Sequence, residues 1–111
     1  MIKVGTLISF LIISTISSLN AATYKGQKVY VESCKGCHGG GQELAASKNI
    51  RTWEKIMDRK GEKLVDIHLT SKKAEASWSY FNDRKFVKDS KHLEDFLVEY
   101  AKDSGNVPAC N

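Results

Sequence analysis

Apolar residues follow a helical pattern most clearly near the C-terminus. Five of them recur at positions i, i+3, i+4, i+7 and i+8: Leu93, Phe96, Leu97, Tyr100 and Ala101. This spacing places them on one face of an α-helix. Asp89 or Ser90 is predicted to cap that helix, because a short side-chain oxygen can accept a hydrogen bond from the free N–H groups of the first turn.

A second helical pattern begins near the middle of the chain. Thr52 is a suitable N-cap, and Trp53, Ile56 and Met57 fall on one side of the helix that would follow. Gly61 is predicted to end or bend this helix, since glycine weakens a helix interior. The interruption would divide a long apolar segment into two parts.

The pattern continues beyond Gly61. Leu64 and His68 follow Met57 at offsets of seven and eleven, which would keep all three on roughly one helix face. A third helix is predicted over 71–81, with Ala74, Trp78 and Phe81 inward, followed by a turn over 82–85. The periodic segments are helical throughout, so we predict an all-α fold, a small bundle of about four helices.

The first 22 residues differ in composition from the rest. Lys3 is followed by an uncharged, largely apolar stretch and then by small and polar residues. This order is typical of a secretory signal peptide cleaved after Ala21 or Ala22, and an uncleaved membrane anchor is the alternative. We therefore divide the chain into a signal peptide over 1–22 and one domain over 23–111.

The charge balance is only mildly basic. The net charge of +4 falls to +3 when Lys3 leaves with the signal peptide. Basic residues occur as pairs, at 59–60 and 72–73, rather than in a long block, so nucleic acid is not an expected partner. A mature chain of about 89 residues buries a thin core by itself, and a bound apolar group would supply the missing centre.

The strongest chemical signal is the stretch Cys34-Lys35-Gly36-Cys37-His38. It matches C-x-x-C-H, the pattern for attachment of a c-type haem. Two thiols three residues apart can each add to one vinyl group on the same porphyrin edge, and the adjoining imidazole can ligate the iron. The chain has only three Cys and three His, so this order is specific. We expect Cys34 and Cys37 to hold haem c covalently and His38 to be its proximal iron ligand.

Two other uses of C-x-x-C stay open at this point. A thioredoxin-like dithiol would need a βαβ pattern around it, and the surrounding segments are helical. A Cys₃His zinc site would combine the motif with Cys110, but it would need a second pair of ligands near Cys110, which stands alone.

With these residues in place, the chain resembles the small monohaem cytochromes c of class I. Members of that family have a Gly, an aromatic residue four positions on and the first haem Cys four beyond, as at Gly26, Tyr30 and Cys34 here. The resemblance implies that the first helix crosses the last one at the glycine. It also implies a cytochrome c-like bundle around one covalently attached haem.

The chain departs from that family at the residue expected to bind the iron on the side away from His38. Class I members usually place a ligating Met in a loop before the last helix, yet no Met lies between His68 and Ser90. His68 and Met57 are the alternative distal ligands. His68 is preferred because the ring nitrogens of a buried imidazole need a metal or a hydrogen-bond partner. His92, beside Lys91, is expected at the surface.

The predicted function is single-electron transfer. Neither a general base nor an activated nucleophile is evident, so we expect an electron carrier and not an enzyme. We expect a periplasmic monomer, without stable membrane insertion after cleavage, that exchanges electrons with periplasmic or membrane-bound redox proteins. The alternative is a haem-based sensor or ligand-binding cytochrome with an open or weakly held sixth iron position.

Overall fold

Helices account for all the regular structure in residues 19–106, the part of the chain that the computed structural model describes. The elements in chain order are α1 (Leu19–Ser33), α2 (Lys35–His38), α3 (Gly41–Ala45), α4 (Ile50–Leu69), a 3₁₀ helix (Lys72–Ser77), α5 (Trp78–Phe81) and α6 (Arg84–Glu99). The all-α prediction is confirmed. Most of the predicted signal segment and Cys110 lie outside the described residues.

Helices α1 and α6 form the most extensive helix–helix contact of the described chain. Gly26 is buried at their crossing, and a Cβ atom built there would overlap the backbone carbonyl of His92. Only glycine permits this approach. The neighbouring rings of Tyr30 and Phe96 pack with their centroids 5.6 Å apart. The predicted crossing of the first and last helices at Gly26 is therefore confirmed.

Helix α6 begins earlier than its sequence pattern indicates. Asp83 is the N-cap, and its carboxylate accepts a hydrogen bond of 2.8 Å from the backbone N–H of Lys85. The predicted cap at Asp89 or Ser90 is wrong, because Phe86 and Ser90 both lie in the core. The helix therefore includes Arg84 and Lys85, which were predicted to form a turn. Burial of Phe86 extends its inner face toward the N-terminus.

A break inside α4 divides this helix into two parts. The backbone leaves helical geometry from Asp58 to Gly61, with φ values of 52°, 56° and 75° at Arg59, Lys60 and Gly61. The predicted interruption at Gly61 is confirmed. It also changes the register between the two parts, so the prediction that Met57, Leu64 and His68 share a face does not hold across it.

The predicted helix over 71–81 is also divided. Its first part is the 3₁₀ helix Lys72–Ser77, and only the last turn, Trp78–Phe81, is α-helical. This segment crosses between the end of α4 and the start of α6, and it packs against both.

The core lies between α1, α4 and α6, with a contribution from α3. Its largest fully buried side chains are Tyr30, Met57, Phe86 and Leu97. Trp53 is also buried, and its indole N–H donates a hydrogen bond of 2.8 Å to the carbonyl of Ala45, which ties α4 to α3. Over the range that the structure describes, none of the helices is long and apolar enough to cross a membrane.

Candidate haem site

The C-x-x-C-H stretch forms one helical turn that continues from α1. The carbonyl of Cys34 accepts hydrogen bonds from the backbone N–H groups of Cys37, at 3.2 Å, and His38, at 3.0 Å. Residues at i, i+3 and i+4 lie on the same side of such a turn. The side chains of Cys34, Cys37 and His38 accordingly line one cavity. Local backbone geometry is sufficient to bring them together.

The chain turns sharply just after His38. Gly39 has a φ of 74°, and its carbonyl accepts a hydrogen bond of 2.6 Å from the hydroxyl of Tyr30. Gly41 then passes so close to the rings of Tyr30 and Phe96 that a Cβ atom would lie 2.9 Å from each. Tyr30 is the side chain that holds this turn in place.

The cavity has a volume of about 530 Å³. This lies within the range of roughly 300–1,000 Å³ for sites that hold cofactors and small ligands. Apolar side chains from α3, α4, α5 and α6 form much of its wall, including Leu44, Trp53, Leu64, Phe81, Leu93 and Leu97. An apolar cavity with two thiols and an imidazole on one wall suits a porphyrin held by thioethers.

His68 lies on the wall opposite His38. The centroids of the two imidazole rings are 5.9 Å apart, and the ring planes form an angle of 72°. Two imidazoles bound on opposite sides of one metal ion, with metal–nitrogen distances of about 2 Å, have centroids about 6 Å apart. The spacing of His38 and His68 therefore fits one metal ion between them.

The hydrogen bond of His68 determines which ring nitrogen faces the cavity. Its Nδ1 lies 2.8 Å from the carbonyl oxygen of Leu64. A carbonyl oxygen can only accept, so Nδ1 carries the proton and the neutral imidazole presents the lone pair of Nε2. Histidines that bind metals commonly use their other nitrogen in this way.

The remaining two candidate ligands lie elsewhere. Met57 is only 1% exposed and packs in the core, where its Cε lies near Gly61. His92 contributes its backbone carbonyl to the crossing with Gly26. Neither side chain is among those that line the cavity, whereas His68 is. The structure thus brings Cys34, Cys37, His38 and His68 together and separates Met57 and His92 from them.

Burial in the cavity wall, with nearby charges in support, favours the neutral forms of Cys34 and His38. Burial, reinforced by Asp89 and Cys37, raises the pKa of the Cys34 thiol to about 11. Partial burial and the neighbouring His68 lower the pKa of His38. A neutral imidazole is the form that binds a metal. Both shifts favour a chain that keeps these groups uncharged until haem is attached.

Sequence reasoning missed several residues of this site. Lys48, Lys73, Ser71 and Ser77 supply polar groups to the cavity wall, and such groups suit the two propionates of a haem. Nothing in their spacing pointed to this. In the part of the chain that the structure describes, no three His, Cys, Asp or Glu side chains form a metal-binding cluster by themselves.

Comparison with known proteins identifies the family of this chain. A model of the family described as Cytochrome c matches residues 24–97, which is more than half of the chain and includes every residue of the site above. Searches of curated proteins and of solved structures found no match. The chain belongs to the cytochrome c family, whose members carry covalently attached haem c with its iron.

Proposed function

We propose that this protein is a periplasmic electron carrier whose single haem is held by thioethers from Cys34 and Cys37 and by axial imidazoles from His38 and His68. Members of the cytochrome c family are generally electron carriers rather than enzymes. The observation that carries the axial assignment is that His38 and His68 line one apolar cavity with their ring centroids 5.9 Å apart.

When bound, the haem iron supplies a one-electron couple between its ferric and ferrous states. The protein contributes the remainder of the function. Cys34 and Cys37 keep the cofactor attached in either state, and the apolar wall excludes water from it. The Tyr30 hydroxyl, bound to the carbonyl of Gly39, holds the turn that follows His38. This rigid environment reduces the reorganisation energy of each electron transfer.

The choice of His68 over Met57 decides which reactions are open to the iron. Two strong ligands leave no position for a gas or an anion, which favours outer-sphere electron transfer over sensing. A thioether ligand raises the reduction potential relative to a second imidazole. We therefore expect a lower potential than that of family members with a Met ligand.

The composition of the N-terminus supports the proposed location. Residues 1–22 have the order of a secretory signal peptide, with a domain over 23–111 behind it. Attachment of c-type haem takes place on the far side of the cytoplasmic membrane, so export and haem attachment belong together. The expected partners are periplasmic or membrane-bound redox proteins that exchange one electron at a time with a monomeric carrier.

The spectrum of the haem-loaded protein tests the axial assignment. We expect a low-spin ferric spectrum without the far-red band of sulfur-to-iron charge transfer, and a ferrous form that binds CO slowly or not at all. His68→Ala should open the site to CO, whereas the matched core variant Met57→Leu should leave the spectrum unchanged. A sulfur-to-iron band lost in Met57→Leu would overturn the assignment, and rapid CO binding by the unaltered protein would favour a sensor.

Deletion of residues 2–22 tests the location. The truncated chain should accumulate in the cytoplasm without covalent haem, while the full chain should be recovered from the periplasm with haem attached. A full chain that stays with the membrane fraction after carbonate washing would overturn signal cleavage and favour an anchor.

A further inference from the structure

We infer that Phe81 and Trp78 are positioning residues that hold the imidazole plane of His68 across the plane of His38. The inference rests on the proposed function, because it concerns His68 as an axial ligand. It goes further by assigning a role to the segment between α4 and α6, which takes no part in haem attachment by the C-x-x-C-H motif.

The first contact is between rings. The ring of Phe81 packs on the imidazole of His68, with centroids 4.2 Å apart and planes inclined by 31°. A ring so close and so nearly parallel covers one face of the imidazole and hinders its rotation about the bond to Cβ. Together with the hydrogen bond from Nδ1 to the Leu64 carbonyl, it fixes the orientation of the plane.

The second contact is with the backbone of His68. The indole N–H of Trp78 donates a hydrogen bond of 2.7 Å to the carbonyl of His68, which also accepts one of 3.1 Å from the backbone N–H of Ser71. His68 lies in the last turn of α4, where carbonyls have no partner within the helix. The hydrogen bond of Trp78 therefore joins α5 to the backbone of His68.

Phe81 is itself held from behind. Its ring packs on Phe86, with centroids 4.9 Å apart, and Phe86 is fully buried in α6. Tyr80 packs against both rings, and its hydroxyl donates a hydrogen bond of 2.8 Å to Asp89. Phe86 thus fixes Phe81 against the first turns of α6, and Phe81 in turn fixes the orientation of the His68 ring.

The angle between the two axial planes has a measurable consequence. In a low-spin ferric haem with two imidazole ligands, near-perpendicular planes leave two of the iron d orbitals close in energy. The EPR spectrum is then strongly anisotropic, with one large g value. Near-parallel planes separate these orbitals and give a rhombic spectrum with three resolved g values. The angle of 72° between His38 and His68 predicts the anisotropic form.

The experiment is EPR of the oxidised, haem-loaded protein and of three variants. Phe81→Leu removes the ring that covers His68. Tyr100→Leu is the matched control, because it removes a ring that packs on Phe96 and not on His68 or Phe81. Trp78→Phe keeps an aromatic ring but loses the hydrogen bond to the His68 carbonyl. Absorption spectra and far-UV circular dichroism establish folding and low-spin ligation for each.

We expect the anisotropic signal in the unaltered protein and in Tyr100→Leu. Phe81→Leu should shift it toward the rhombic form or broaden it into a mixture, and Phe81→Tyr should restore it. Trp78→Phe should shift it in the same direction by less, and it carries the test if Phe81→Leu does not fold.

Two kinds of failure are distinguishable. A rhombic signal from an unaltered protein with two imidazole ligands would overturn the inference and leave the proposed function intact. An unchanged signal in Phe81→Leu, or an equal change in Tyr100→Leu, would likewise remove the role of Phe81. A sulfur-to-iron band in the unaltered protein would instead overturn the ligation by His68 on which the inference rests.

Discussion

The two walls of the haem cavity are built in different ways. The wall with Cys34, Cys37 and His38 comes from five consecutive residues on one helical turn. The opposite wall has a single candidate ligand, His68, whose placement depends on a break in α4 and on contacts with Trp78 and Phe81. One wall follows from local backbone geometry, and the other exists only in the folded chain.

The supports of the two walls differ accordingly. Behind the wall of the motif, α1 and α6 meet at Gly26 with no room for a side chain, so the contact tolerates no adjustment. Behind the wall of His68, aromatic rings pack at centroid distances of 4.2–5.7 Å. Attachment of the cofactor is thus separated in the fold from the choice of its second ligand, and the two can be altered independently.

The largest expected effect is on the wall of the motif. Cys34→Ala combined with Cys37→Ala should abolish covalent attachment, because both thioethers are lost. Haem staining of a denaturing gel should then be absent, while His68→Ala should keep full staining. Staining that survives in the double variant would contradict the assignment of the thioethers.

The next effect concerns the helix crossing. Gly26→Ala should destabilise the protein by about 3 kcal/mol, because the added Cβ meets backbone that cannot move aside. Gly36→Ala is the matched control, since no atom lies within 4 Å of its Cβ position. Urea unfolding of the haem-loaded proteins measures both. Equal stability of the two variants would mean that the crossing is looser than described.

The break in α4 offers a comparison on the wall of His68. Gly61 and Gly105 have nearly equal φ values, 75° and 76°, but only at Gly61 would a Cβ meet another side chain, at 2.7 Å from the ring of Phe86. We expect Gly105→Ala to cost about 1 kcal/mol from backbone strain alone.

Gly61→Ala should cost about 2–3 kcal/mol, since overpacking adds to the same strain. It should also increase CO binding to the ferrous protein, because the displaced second part of α4 carries His68. Unfolding in urea gives the first quantity and stopped-flow mixing with CO the second. A change in stability without any change in CO binding would show that His68 is held independently of the break.

The smallest expected effect is electrostatic and involves carboxylates on α6 and α4. Burial raises the pKa of Glu94, Lys91 opposes the shift, and the carboxylates of Asp95, Glu54 and Asp58 reinforce it. A raised pKa means that the folded state holds the proton more tightly than the unfolded chain. Ionisation of Glu94 near neutral pH therefore weakens the fold.

Glu94→Gln should stabilise the protein at pH 7 by about a few tenths of a kcal/mol, because the side chain is only partly buried and solvent screens the charges around it. The gain should vanish below about pH 4, where Glu94 is protonated in both the folded and unfolded states. Urea unfolding at pH 7 and pH 3.5 measures the difference. A gain that persists at the lower pH would point to packing rather than charge.

Much of the fold could be predicted because its signals are local or strictly periodic. The C-x-x-C-H turn needs only i to i+4 hydrogen bonds, and the inner face of α6 follows from the spacing of Leu93, Phe96 and Leu97. The spacing of Gly26, Tyr30 and Cys34 carried the family resemblance, which implied the helix crossing at Gly26. The match of residues 24–97 to the cytochrome c family confirms the family that these features indicated.

The opposite wall could not be predicted in the same way. Gly61 indicated an interruption, but sequence offsets do not give the rotation between the two parts, so helical periodicity placed Met57 and His68 on one face. The non-helical residues 58–61 rotate the two parts of α4 relative to each other. Met57 is thereby left in the core and His68 lines the cavity.

The sequence by itself therefore determined the helical class and the motif for haem attachment, because each depends on neighbours along the chain, while the crossing of the terminal helices was implied by the family resemblance. Only the tertiary structure decided which side chain faces His38 and what orients it. Trp78 and Phe81 act on His68 across 10 and 13 residues and from a different helix. Contacts of that kind exist only once the chain has packed.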